Sequence, residues 1–183
     1  PRVGARAGQS RQGYSACLFS WPLSVVLGRA PDVSGPRRAT VDARVGLVGG
    51  GAGMAAQSRQ AWRRVQMFLR ADSGFAREAL MAWCEANKVD YVFGLARNTR
   101  LEAELAGDLA QAKTLCAAAG KAARLFRDFR YQTLDSWSRA RRVVGKAEDT
   151  PLGSNPRFIV TSLKTSAWDA RRPYEDLYCA RGE

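Results

Sequence analysis

A chain of 183 residues and 20.0 kDa can bury one good core, so a single domain is the expectation. It contains no His, and its four cysteines (Cys17, Cys84, Cys116 and Cys179) never form a C-x-x-C pair, which excludes Ser-His and Cys-His nucleophiles and argues against structural zinc. A formal charge of +12 favours a polyanionic partner such as nucleic acid.

Residues 1–60 lack Lys, Glu, Ile and Asn altogether, yet hold ten of the chain's 17 glycines. They carry eight Arg and two Asp (8 − 2 = +6), so half of the net charge lies there and the other half (21 − 15 = +6) in residues 61–183. Arg, Ala, Gly, Pro, Ser and Val are the alphabet of GC-rich codons. Two readings stand: text out of frame or degenerate that does not fold as a domain, or a Gly/Arg-rich arm that binds nucleic acid by charge. Within it, "YSACLFSWPLSVVLG" (14–28) has the outline of a signal-peptide core, but Pro22 breaks it and no clean A-x-A site comes after it. No run of about 18 uninterrupted apolar residues offers a membrane span.

From residue 61 the pattern becomes regular. "VQMFLRA" (65–71) reads as a buried strand, and Asp72 and Ser73 can cap a helix through "FAREALMAWCEAN", with Phe75, Ala79, Trp83 and Ala86 on one face. Asn87 suits a left-handed C-cap, and "VDYVFGLA" (89–96) returns as a second strand, which places Asp72 on a strand-helix-strand crossover. Residues 99–129 read as helix interrupted near Gly120, with Leu101, Leu105 and Leu109 aligned. "FRYQTLDSW", "ARRVVGKAE" and "RFIVTSL" read as strands, and Pro173 sits in the first turn of a closing helix. Trp62, Trp83, Phe93 and Phe129 are assigned to the core, and the cysteines to free buried thiols.

Two motifs compete for Asp72. Gly51, Gly53 and Ala56 fit G-x-G-x-x-A, and Asp72 lies about 20 residues beyond, where a dinucleotide fold needs an acid for the ribose hydroxyl; this makes the Gly49–Ala56 loop a candidate cofactor cradle. The motif is short, however, in a segment rich in Gly throughout. The other blocks are "RADSGFAREALMAWCEANKVDYVFGLARN" (70–98), "FRDFRYQTLDSWSRARRVVGKAE" (126–148), "NPRFIVTSL" (155–163) and "YEDLYCARGE" (174–183). Taken together over residues 57–183, this segment resembles the DDE transposases of bacterial insertion sequences, transposase DDE domain group 1.

The resemblance implies an α/β fold with an RNase H-like core and a β-rich insertion, incomplete at both ends, behind a Gly/Arg-rich segment 1–56. It implies DNA cleavage and strand transfer at transposon ends with two Mg²⁺ ions. Several carboxylates must converge to offset the repulsion of two cations about 4 Å apart. By resemblance Asp72 is the second acid and metal ligand; helix capping is the competing role, and both can coexist. Tyr178 and Arg181 match the family's Tyr-x2-Arg-x3-Glu signature and are expected at DNA, with a packed Tyr and a solvated Arg as the alternative. The signature's Glu falls two positions past Glu183, which itself lies about 200° from the face required. Before Asp72 the only acids are Asp32 and Asp42, in text that shows no acid-bearing strand. The expectation is therefore a transposase fragment, inactive by itself, which binds DNA in the cytoplasm at the nucleoid, with pairing to a second or full-length copy open. Arg139, Arg141 and Arg142, near Trp137, are candidate phosphate contacts, a basic surface strand being the alternative.

Overall fold

The computed structural model describes residues 14–17, 23–28 and 67–179. They form one sheet of eight strands: β1 (Tyr14–Cys17), β2 (Leu23–Gly28), β3 (Met67–Ala71), β4 (Asp90–Leu95), β5 (Ala123–Tyr131), β6 (Arg141–Thr150), β7 (Gly153–Ser154) and β8 (Arg157–Thr161). The order across the sheet is β1-β2-β3-β4-β8-β6-β5, with β7 on β6. Helix α1 (Glu78–Ala86) links β3 to β4, which pair in parallel, while every other strand pair is antiparallel. Helices α2 (Thr99–Glu104) and α3 (Ala106–Ala119) come after β4, and a π-helical turn (Pro173–Tyr178) closes the described chain with Pro173 in its first turn.

The central strands β3, β4, β8 and β6 are buried on both faces, which the period-2 alternation of side chains makes possible. Leu69 and Ala71 of β3, Tyr91 and Phe93 of β4, and Val143 and Ala147 of β6 point to the side of α1, α2 and α3, where Leu80, Met81, Cys84, Leu101 and Leu105 meet them. Phe68, Val92, Val144 and Ile159 point the other way, onto Trp168, Tyr174 and Leu177 of the terminal segment. Two layers of cover therefore share one central sheet, and the strand ends between them are where a site can form.

Several local expectations change. The α1 face that is buried carries Leu80, Met81 and Cys84; Ala79 and Ala86 are exposed, and Phe75 and Trp83 only pack at the margin. The left-handed residue after α1 is Lys88 (φ 54°) and not Asn87 (φ −101°), whose side-chain amide instead donates to the Trp83 carbonyl at 2.8 Å. Gly120 does end a helix in the left-handed conformation (φ 64°), but the next element is a strand. Nine-residue antiparallel pairing of β5 with β6 overrides the helical look of "ARLFRDF". β5, β6 and β8 extend the central sheet, so the expected insertion is continuous with the core. Among the first 56 residues, β1 and β2 join the sheet, and β2 covers the edge of β3 from Leu23 to Leu27. Cys84 and Cys116 are buried free thiols, while Cys179 is exposed. Trp62 lies outside the described residues.

Candidate functional site

Asp72 comes directly after β3, at the end of the strand where the chain turns. It does not cap α1. A short 3₁₀ turn, Ser73–Phe75, intervenes, α1 begins after Arg77, and the Asp72 carboxylate makes no capping bond to the backbone of that turn. An acid that spends no oxygen on the helix behind it is available to what lies beyond the strand tip.

Tyr178 reaches the same place from the other end of the sequence. Its hydroxyl lies over Gly94 of β4, so close that a Cβ at Gly94 would sit 2.5 Å from Tyr178 Oη and 3.0 Å from the Ser73 amide nitrogen. A glycine is required where two elements approach like this. Arg70, two residues before Asp72 and on the Phe68 face of β3, is buried and donates from Nη1 to the Leu177 carbonyl at 3.2 Å. β3, which leads into Asp72, is thus tied to the turn that carries Tyr178 by a buried guanidinium, and its neighbour β4 by the Gly94 contact. Nothing in an apolar run "MFLRA" marks Arg70 in advance, except that it breaks the hydrophobic alternation on the Phe68 face.

Gly94→Val is expected to force Tyr178 out and to cost about 2 kcal/mol, the middle of the range for overpacking. Urea titration measures this. Adding Tyr178→Phe should recover part of the loss, since the nearest clash is with the hydroxyl; no recovery would show that Tyr178 does not lie over Gly94.

The metal-ligand geometry is incomplete among the described residues. No group of three His, Cys, Asp or Glu side chains converges there. β2, which flanks β3 on the side away from β4, contains no acid. Asp90 pairs in register with Phe68, so it stands about 13 Å from Asp72 along the strands at ~3.3 Å per residue. It accepts a hydrogen bond from Ser162 Oγ at 3.0 Å. A lone carboxylate does not fit a pair of divalent cations. Cys84 is no substitute: burial pushes its thiol up to about 12.

Arg141 and Arg142 face inward and are framework residues, a correction to their reading as phosphate contacts. Arg141 is 3% exposed; its Nη1 donates to Glu78 Oε2 at 2.7 Å and its Nε to Glu85 Oε1 at 2.9 Å. Hydrogen bonds from Arg141 hold the Glu78 carboxyl down at about 2, and for Glu85 they outweigh burial and leave it below the usual range. Arg142 pairs with Asp128 at 2.6 Å and donates to the carbonyls of Leu163, Trp168 and Asp169. A buried guanidinium with most of its donors used in this way is not presented to a phosphate. Arg139 is on the surface and pairs with Glu85, while Trp137 is buried in the core beside Arg141. Arg181 and Glu183 lie outside the described residues, as does the Gly49–Ala56 loop. The sheet argues against a dinucleotide fold: both neighbours of β3 are taken, by antiparallel β2 and by β4, so no parallel strand from just before the glycines can lie beside it.

Beside the tip of β3 lies a cleft of about 400 Å³, lined by Ser73, Leu95, Ala96, Arg97, Asn155, Arg157 and Tyr178, with Pro156 and Phe158. Nothing in the sequence marks Arg97 or Arg157, because each is an isolated Arg in a loop or at a strand start. Among the described residues no helix is long and apolar enough to cross a membrane.

The transposase DDE domain group 1 family model matches residues 33–183. The match therefore begins upstream of residue 57 and takes in the glycine-rich stretch, which by its composition alone looks foreign to the family. No curated protein and no solved structure matches the chain.

Proposed function

Since the chain belongs to the transposase DDE domain group 1 family, whose members act in transposition, we propose that it binds DNA at the tip of β3 and contributes Asp72 as one acid of an RNase H-like site, without cutting DNA by itself. The observation that carries this is Asp72 itself. It stands at the end of a central strand, uncommitted to the helix behind it, and its neighbour Ser73 lines the same cleft as the signature Tyr178.

The family uses Mg²⁺ for phosphoryl transfer, and the carboxylates of the described residues do not fit that pair of ions, so binding and positioning are what these residues supply. Tyr178 and Arg181 serve the DNA near Asp72; Arg139 is a secondary contact at the surface. The charge of +12 draws the duplex in, with an affinity that falls steeply as salt rises.

The test uses the 183-residue chain with labelled duplex DNA and Mg²⁺. Binding that weakens with salt and leaves the DNA intact is expected; nicking that disappears in Asp72→Asn would overturn the inactive reading. Asp72→Ala should change stability by less than about 0.5 kcal/mol, against roughly 1 kcal/mol for loss of a helix cap. A full cap-sized loss would return Asp72 to a structural role.

A further inference from the structure

We propose that Arg97 and Arg157 form a two-point clamp for the phosphodiester backbone of a DNA strand, in the cleft beside Asp72. The inference rests on the DNA reading above and names the part of the surface that does the holding. Both arginines line one cleft of about 400 Å³ together with Ser73 and Tyr178.

Several of the described basic side chains are spent on the protein's own carboxylates. Arg124, Arg127, Arg139, Arg141, Arg142 and Lys146 are each paired with a carboxylate. No carboxylate among the described residues pairs with Arg97 or Arg157, and both are exposed. Positive charge left uncompensated in a concave site attracts a polyanion more strongly than the same charge on a convex face.

The Arg157 side is also built in advance. Its Nε donates to Asn155 Oδ1 at 3.1 Å, and Asn155 Nδ2 donates to Glu148 Oε2 at 3.0 Å. Glu148 is 4% exposed and is fixed in turn by Lys146 Nζ at 2.5 Å. A buried carboxylate thus sets the Asn155 amide, whose oxygen steers the guanidinium on the rim. Arg97 comes from the loop after β4, past Gly94, where Tyr178 closes over the strand. The clamp therefore opens beside Ser73, the residue after Asp72, and a strand gripped at Arg97 and Arg157 would pass the β3 tip.

The experiment compares Arg97→Ala/Arg157→Ala with Lys113→Ala/Lys121→Ala, which removes the same charge from exposed positions on α3 and in the turn after it. Thermal melts confirm that both fold. Binding of a labelled duplex is then measured across a salt series. The clamp predicts that the arginine double variant binds at least about 10-fold more weakly and loses nearly two units of salt slope, at roughly 0.9 per phosphate contact, while the lysine variant stays within about 3-fold. Equal losses in the two variants would overturn the clamp and leave the DNA reading standing. Absence of DNA binding by the unaltered chain would remove that reading itself. Competition decides between a strand and an isolated phosphate group: an unlabelled oligonucleotide should displace the duplex at concentrations where dAMP and inorganic phosphate do not. Displacement by dAMP at matching concentration would show a mononucleotide pocket instead.

Discussion

Arg141→Ala is expected to lower stability by about 3 kcal/mol, the lower end of the range for breaking a buried ion pair, and to drop the melting temperature by roughly 6–12 °C for a domain of this size. The guanidinium is almost wholly buried, against side-chain exposures of 29% for Glu78 and 17% for Glu85. Removing it leaves Glu78 on α1 without a counter-charge and Glu85 with only the exposed Arg139, and Glu85 also accepts from Tyr91 Oη at 2.9 Å. It also removes the cation that lies 5.7 Å from the Trp137 ring centre. Because Glu78 and Glu85 belong to α1 and Arg141 to β6, the network fastens the helix behind Asp72 to the far half of the sheet. The triple variant Arg141→Met/Glu78→Gln/Glu85→Gln should lose far less than Arg141→Ala, since most of the cost is the unpaired charge. A loss below about 1 kcal/mol for Arg141→Ala would place the network among ordinary surface pairs.

The strand-helix-strand unit around Asp72 is legible in the sequence because its signals are local. An apolar run, a turn and a second apolar run fix β3, α1 and β4 without reference to anything distant. The rotation of the α1 face is not legible. Alanines at helical spacing score as an apolar stripe, yet it is the larger Leu80 and Met81 that gain by burial against the sheet, and they set the orientation. Residues 123–131 mislead for a similar reason: Leu125, Phe126 and Phe129 have helical spacing, and only the partner strand decides otherwise.

Charge is the least legible feature. "RARRVV" looks the same whether its arginines meet phosphates or buried acids, and the acids that claim Arg141 are 63 and 56 residues away. The reverse holds for Arg97 and Arg157, which have no neighbouring basic residue yet meet in one cleft, because β4 and β8 are sheet neighbours. Family resemblance locates Asp72 and Tyr178, and the fold supplies what resemblance lacks. Arg70 and Gly94 explain how an acid and a tyrosine far apart in the chain are held together.

Acid should unfold this protein between pH 4.5 and about 2. The Glu78 and Glu148 carboxyls both stand at about 2 in the folded chain, against an ordinary value of 4.5. For Glu78 the hydrogen bond from Arg141 is the main cause; for Glu148 burial pushes upward, and the bonds from Lys146 and Arg124 more than offset it. Glu85 is lowered as well. A depressed folded value means that the unfolded chain binds protons first as pH falls. The stabilisation is thus complete above pH 4.5 and is lost on the way down to about 2. Discounted for solvent screening, Glu78 and Glu148 contribute about 1–2 kcal/mol each. Melting temperatures should accordingly be flat from pH 7 to 5 and fall steeply below 4.5. Glu148→Gln should start from a lower plateau and lose part of that slope, whereas Asp176→Asn, which removes an exposed pair with Arg172, should leave the curve unchanged. A wild-type curve that stays flat down to pH 2 would mean that neither carboxylate is held as described. Loss of Glu148's charge also releases Asn155, so in this acid range the Arg157 side of the cleft should loosen before the sheet itself gives way.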